Sequence, residues 1–136
     1  MLDQHCAEQQ KRHEEKKFVI SEYDFVYLPI DFSTRANKGY AFVNFTTVEA
    51  ANNANKEIHR RKWVIFNSKK VARVCYARVQ GKTALVNRFS CSQFRCDTDE
   101  FLPATFTPPR NGTTSRPPPD TVGKRIINSL PLKHSR

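Results

Sequence analysis

Lys38-Gly39-Tyr40-Ala41-Phe42-Val43-Asn44-Phe45 alternates between two kinds of side chain. Successive side chains of a strand point to opposite faces, so Tyr40, Phe42 and Asn44 share one face and Ala41, Val43 and Phe45 the other. The second set is apolar throughout and seats the strand on a core. The first puts two rings on a face that the core does not need. Lys38 sets a cation beside them, and Gly39 keeps the start of the strand free of a side chain. Rings that stack on planar groups, next to an ammonium, suit a flat anionic ligand.

Upstream, Phe18 to Ile30 is aromatic and β-branched, which is strand chemistry. Alternation puts Tyr23, Phe25 and Tyr27 on one face and Val26, Leu28 and Ile30 on the other. Pro29 suits a strand end or an edge, having no N–H to donate. The polar connection Asp31 to Asn37 is rich in turn formers, so the two strands form an antiparallel pair. Glu8 to Lys17 is charged, without an apolar stripe, and reads as solvated helix end or connector.

Downstream, Thr46 with Glu49 fits a capping box that opens a helix. Ala50, Ala51, Ala54 and Ile58 give that helix a small-residue face able to lie close to a sheet. The run His59-Arg60-Arg61-Lys62 suits the negative pole of its end. Trp63 to Phe66 returns the chain to the core, and Val71 to Ala77 is expected to be a further strand. In that strand Val74 and Tyr76 should be buried, leaving Arg73 and Cys75 on the open face, with Arg78 at the exit. Gln80-Gly81 ends it, and Ala84, Leu85 and Phe89 line one side of an extra helix.

The chain has 136 residues, room for one domain and a tail, and a net charge of +10 that favours a polyanionic partner. Five of the eight prolines fall between Pro108 and Pro119, and such a segment lacks the apolar surface to offset ordering entropy. Residues 1–89 therefore read as the domain, 90–107 as an extension packed on it, and 108–136 as a Pro-rich, basic, disordered tail that offers a docking segment to other proteins. No apolar run approaches the ~20 residues of a membrane span, and the N-terminus has no apolar signal core. A monomer of the nucleus or cytoplasm is expected, with no membrane contact. Cys6, Cys75, Cys91 and Cys96 read as reduced thiols, since the tight pairs of zinc modules are missing. The scattered histidines match no nucleophile or metal motif, so neither an enzyme, a cofactor nor a metal site is expected.

The octapeptide matches the RNA recognition motif pattern at every defined position. It resembles that family in what surrounds it too: a strand before, then a capped helix and another strand. The implied partner is single-stranded RNA, its bases stacked on Tyr40 and Phe42 beside Asn44 and its phosphates met by Lys38. Phe25, Tyr27, Arg73 and Arg78 complete the expected contact set.

Further text narrows the likeness: Tyr23-Asp24-Phe25-Val26-Tyr27-Leu28-Pro29-Ile30-Asp31-Phe32, Phe66-Asn67-Ser68, Tyr76-Ala77-Arg78-Val79-Gln80-Gly81 and Phe106-Thr107-Pro108-Pro109-Arg110. These resemble the C-terminal RNA recognition motif of the Mei-two-like family, and within it the plant terminal-ear-like branch. The likeness runs from about Met1 to Arg110, with Met1 to Cys6 similar to the end of the motif's first helix. It implies an RNA-binding, post-transcriptional regulator of meiosis or plant development. The expected fold is α+β, a ferredoxin-like βαββαβ motif lacking its first strand, with an extra C-terminal helix and a disordered tail. Strand Tyr40–Phe45 should then miss its central neighbour, for which Phe101 to Phe106 is the first substitute. A protein-interaction module and an inert fragment are the alternatives.

Overall fold

The computed structural model describes residues 2–8, 21–62, 70–112 and 117–126. Helix α1 covers residues 2–8. Strands β1 (Tyr23–Tyr27) and β2 (Phe42–Phe45) precede helices α2 (Val48–Ile58) and α3 (Lys82–Ser90). Then come β3 (Gln93–Phe94), a 3-10 turn at Asp99–Phe101, β4 (Ala104–Arg110), β5 (Asp120–Thr121) and β6 (Lys124–Arg125). An antiparallel four-stranded sheet with three helices is the α+β, ferredoxin-like class expected of an RNA recognition motif.

Strands β1 and β2 pair antiparallel, as their short polar connection predicts. Their connection is held locally: the Asp31 carboxylate accepts from the Ser33 N–H (3.0 Å) and hydroxyl (2.7 Å), and the Lys38 N–H donates to the Pro29 carbonyl (2.9 Å). Those bonds favour the ionised form and hold the Asp31 carboxyl below the usual carboxylate range. The Thr46 N–H still belongs to this pair, donating to the Glu22 carbonyl (2.9 Å). The helix cap accordingly falls one residue later than predicted. Thr47 is extended, and its hydroxyl accepts from the Ala50 N–H (3.0 Å), which offsets one free donor of the first turn. Ala50 and Ala54 are buried on α2.

One break in alternation changes the faces of β1. The pairing shifts between Tyr23↔Phe45 and Phe25↔Asn44, so Asp24 is an extra, bulged residue. Tyr23 turns to the α1 side, into a cluster with Cys6 and Phe106 joined by Val26, Val43, Phe45 and Ala104. Its hydroxyl donates to the Asp3 carboxylate of α1, and its ring meets Phe106 edge to face. A second cluster (Phe94, Cys96, Leu102, with Tyr27, Phe32, Phe89 and Phe101) occupies the opposite face. The three aromatics predicted to share one face of β1 are thus divided between two.

The sheet order is β2-β1-β4-β5. Strand β4 therefore lies on the far side of β1 from β2. Only the last part of the predicted substitute Phe101 to Phe106 is strand, from Ala104 on, and it does not occupy the position beside β2. Pairing of β4 with β1 jumps from Phe25↔Thr105 to Tyr23↔Arg110, skipping Pro108 and Pro109, which have no N–H to give. Among the described residues, Val71 to Ala77 forms no strand beyond a single bridge, Lys62↔Val71. It runs back along α2 instead, with the Val74 N–H donating to His59 Nδ1 (2.8 Å) and the Tyr76 hydroxyl to the Asn52 amide oxygen. Val74 is half-buried and Tyr76 is exposed, against the expectation that both would be covered.

The tail also differs from expectation, over 108–110, which end β4, and over 117–126. Strand β5 pairs with β4, β6 with β3, and Val122 is buried. The segment has no core of its own; it borrows one from the domain, and that contact is invisible in its composition. Gly112 allows a similarly close approach at its φ of +83°, for a Cβ there would lie 2.1 Å from the Asp3 carbonyl oxygen. The predicted core return at Trp63 to Phe66 lies outside the described residues, as do most of Glu8 to Lys17 and the start of the Phe18 to Ile30 stretch.

Candidate nucleic-acid interface

Beyond the bulge, Phe25 and Tyr27 of β1 face the same way as Phe42 and Asn44 of β2. Tyr27 and Phe42 stack across the strand pair with centroids 6.3 Å apart and planes 14° from parallel. Tyr40, two residues ahead of β2, extends the row, perpendicular to Phe42 at 5.8 Å. Tyr40 is 52% exposed, whereas Phe42 and Tyr27 are half-buried. Lys38, two residues before Tyr40, is exposed. This end of the face can offer a base a ring and its phosphate a cation.

The rest of the face is covered. Helix α3 begins after Gly81, and its apolar pair Leu85 and Phe89, spaced i,i+4, points to one side. Phe89 lies on Phe25 (6.1 Å, planes 18° apart), edge-on to Tyr27 (5.0 Å) and tilted on Phe42 (6.2 Å). Phe94 closes on Tyr27 from β3 (5.7 Å). Burial, then the neighbouring Tyr40 and Cys96, push the Tyr27 phenol above its ordinary value, so it stays neutral around pH 7.

These contacts correct part of the predicted set. Phe25 is fully buried under Phe89 and has no ring face left for a base. Asn44 donates its side-chain amide to the Asp24 carboxylate (2.7 Å), the bulged residue it faces. Arg73 and Arg78 are exposed, but they sit on the segment along α2 rather than in a sheet strand. Tyr40, Phe42 and Tyr27 are brought together as expected. Phe89 and Phe94 are the missed members. The spacing of Leu85 and Phe89 announces a buried face, but not which surface it buries.

A cleft of about 220 Å³ opens beside the second cluster, between Phe32, Phe101, Arg35 and Asp97. Arg35 and Asp97 pair across it at 2.7 Å. The four thiols are free; Cys6 and Cys96 belong to different clusters, and Cys75 and Cys91 are exposed. Among the described residues, no group of three or more His, Cys, Asp or Glu side chains could share a metal ion. No described helix is long and apolar enough to cross a membrane.

The family model described as RNA recognition motif 2 matches residues 7–90. Among curated proteins, the chain is 46% identical over 128 residues to Protein terminal ear1 of Zea mays, a match covering 91% of this chain and 19% of that protein. The Protein terminal ear1 homolog of Oryza sativa subsp. indica gives the same identity and coverage. Protein MEI2-like 7 of Oryza sativa subsp. japonica is 43% identical over 140 residues, covering 93% of this chain and 36% of that protein. The chain thus spans about a fifth to a third of the length of these relatives.

Proposed function

The chain belongs to the RNA recognition motif 2 family, and from that premise we propose that it binds single-stranded RNA by stacking unpaired bases on Tyr40 and the open part of Phe42. Lys38 meets the phosphates. The observation that carries this reading is Tyr40 itself: a ring 52% exposed, set against Phe42 inside the matching octapeptide. An exposed aromatic on an otherwise covered ring cluster is a stacking platform, and each stacked base contributes ~1–3 kcal/mol.

The reading makes the chain a binding module rather than an enzyme. It extends to post-transcriptional regulation in meiosis or plant development, the biology that the Mei-two-like resemblance implies. The likeness to terminal ear1 of maize and to MEI2-like 7 of rice supports that family assignment. Action as a monomer in the nucleus or cytoplasm belongs to the same proposal. So does docking of other proteins on the exposed prolines Pro117 to Pro119.

Ultraviolet crosslinking of the purified chain to a mixed-sequence single strand, followed by peptide mapping, tests it. Adducts are expected on the peptide that carries Tyr40 and Phe42. Adducts confined to the basic residues after Arg110 would overturn it.

A further inference from the structure

Helix α2 ends at Ile58, yet the chain does not simply leave it. The His59 N–H closes on the Asn55 carbonyl (3.0 Å), and Arg60 takes a left-handed φ of +67° that bends the backbone back. That conformation is costly for a residue with a Cβ. Beyond the bend, two short stretches of chain form an antiparallel arm. Lys62 bridges Val71, the Arg60 N–H donates to the Ala72 carbonyl (2.6 Å), and the Ala72 N–H to the Arg61 carbonyl (2.7 Å). His59 Nδ1 accepts from the Val74 N–H (2.8 Å), closing the arm at its base. By this register Arg73 lies across from Arg60.

Four cations thus gather on a backbone fixed at several points: Arg60, Arg61, Lys62 and Arg73, all exposed. Among the described residues, none of the four forms an ion pair with a carboxylate. The helix dipole does not account for them. Its pull fades within the last turn, where Lys56 already stands, and Arg73 arrives from another part of the sequence. Like charges held together repel one another, so an anionic partner is the natural complement.

The position of the arm says which partner. Strand β2 turns through Thr46 and Thr47 into α2, which stays in contact with it. Four strand residues rise ~13 Å and eleven helical ones ~16 Å. By length, a helix that runs back beside β2 reaches the level at which the strand begins, the end that carries Lys38 and Tyr40. We infer that the arm formed by Arg60–Lys62 and Arg73 is a second RNA contact, a phosphate-binding arm that takes over the strand as it leaves the Tyr40 platform. Arginine suits this, since its planar fork can hold two phosphate oxygens at once. The inference rests on the RNA reading of the sheet face and adds a reach to it. Short strands need only the platform, while longer ones also use the arm.

Binding of 5- and 15-nucleotide mixed-sequence single strands, measured across a salt series, tests it. The variants are R60A/R61A/K62A/R73A and the milder K62A/R73A, whose backbone turn is untouched. For the quadruple variant the 15-mer is expected to bind ~10-fold or more weakly at low salt. Its salt slope should be shallower by about 2–3, at roughly 0.7 per lost contact, and by about 1.4 for the double variant. The 5-mer should change less than about two-fold. R60K/R61K/R73K keeps the charge and should keep the slope. An unchanged 15-mer slope in the double variant overturns the arm. So does equal loss for both lengths, or loss of binding to phosphatidylserine vesicles with RNA binding intact. If the unaltered chain binds neither length, the RNA reading itself has failed, an outcome distinct from these.

Discussion

Phe89 of α3 meets Tyr27 of β1 edge to face, with ring centroids 5.0 Å apart. The same ring lies on Phe25 and against Phe42, so the helix occupies surface that a base would otherwise use. Aromatic pairs of this kind contribute about 0.5–1.5 kcal/mol each beyond their area. On the proposed reading, the helix and an RNA strand are rivals for Tyr27 and Phe42. Tyr40, outside the cover, is available to RNA in either case.

Phe89→Ala separates the two roles of these rings. Removing a half-buried ring from this cluster should lower stability by about 2 kcal/mol, less than a fully buried Phe would cost. Affinity for a short single strand should nevertheless rise several-fold, because Tyr27 and Phe42 are uncovered. Denaturant melts and fluorescence anisotropy on the same sample read both effects. A parallel fall in stability and affinity would make α3 part of the binding surface instead of its cover.

Stacking and charge should part company at the other end of the face. Tyr40→Ala removes an exposed ring that supports little of the core, so its cost falls on binding: ~1–3 kcal/mol, nearly independent of salt. Lys38→Ala should cost less and reduce the salt slope by about 0.7, the counterion release of one phosphate contact. Titrations at two or more salt concentrations distinguish them. Equal, salt-sensitive losses in both variants would contradict the assignment of the ring.

The part of this architecture legible in the sequence is the part decided by neighbours along the chain. Alternation in Tyr40–Phe45 gave the faces of β2, and Leu85 with Phe89 gave the side of α3. The bulge at Asp24 was not legible, because an extra residue shows only against the ladder of the partner strand. Nor was the choice of Ala104–Arg110 over Val71–Ala77 as a sheet member. Both are extended-looking text, and pairing is settled by which one finds free N–H and C=O groups on β1. The cover over the aromatic face was missed for a related reason. The sequence shows that Phe89 will be buried, and only the fold shows that Phe25 and Tyr27 are what it buries.

Val122 tests whether the Pro-rich segment belongs to the fold. Its side chain is 7% exposed, and its N–H donates to the Pro103 carbonyl (2.8 Å). Next to it, Gly123 at φ +90° would place a Cβ 2.5 Å from the Phe94 ring. Val122→Ala removes two buried carbons and should destabilise the chain by about 2 kcal/mol. Amide exchange should show protection at Val122, Lys124 and Ile126, whose N–H groups have carbonyl partners. A melt unchanged by Val122→Ala, with free exchange at those amides, would return 117–126 to a disordered tail.

Alkaline pH provides a test of the Tyr23–Asp3 contact. Burial, followed by the Asp3 carboxylate that accepts its hydrogen bond, raises the Tyr23 phenol well above its ordinary value, against a smaller opposing effect of Arg110. In the unfolded chain a tyrosine ionises near pH ~10. Above that point the folded state holds a proton that the unfolded state has released, so the stability of the fold falls as pH rises. Below it both states are protonated, and the contribution of the contact is fully present. Stability should accordingly be level up to about pH 9 and decline steeply beyond ~10. Tyr23→Phe cannot ionise and should begin lower, having lost the bond to Asp3, but show a flatter alkaline decline. Urea melts of the two proteins from about pH 7 to 11 measure the difference. Parallel declines would mean that the phenol ionises as readily in the fold as outside it, and that α1 is not held to β1 through this pair.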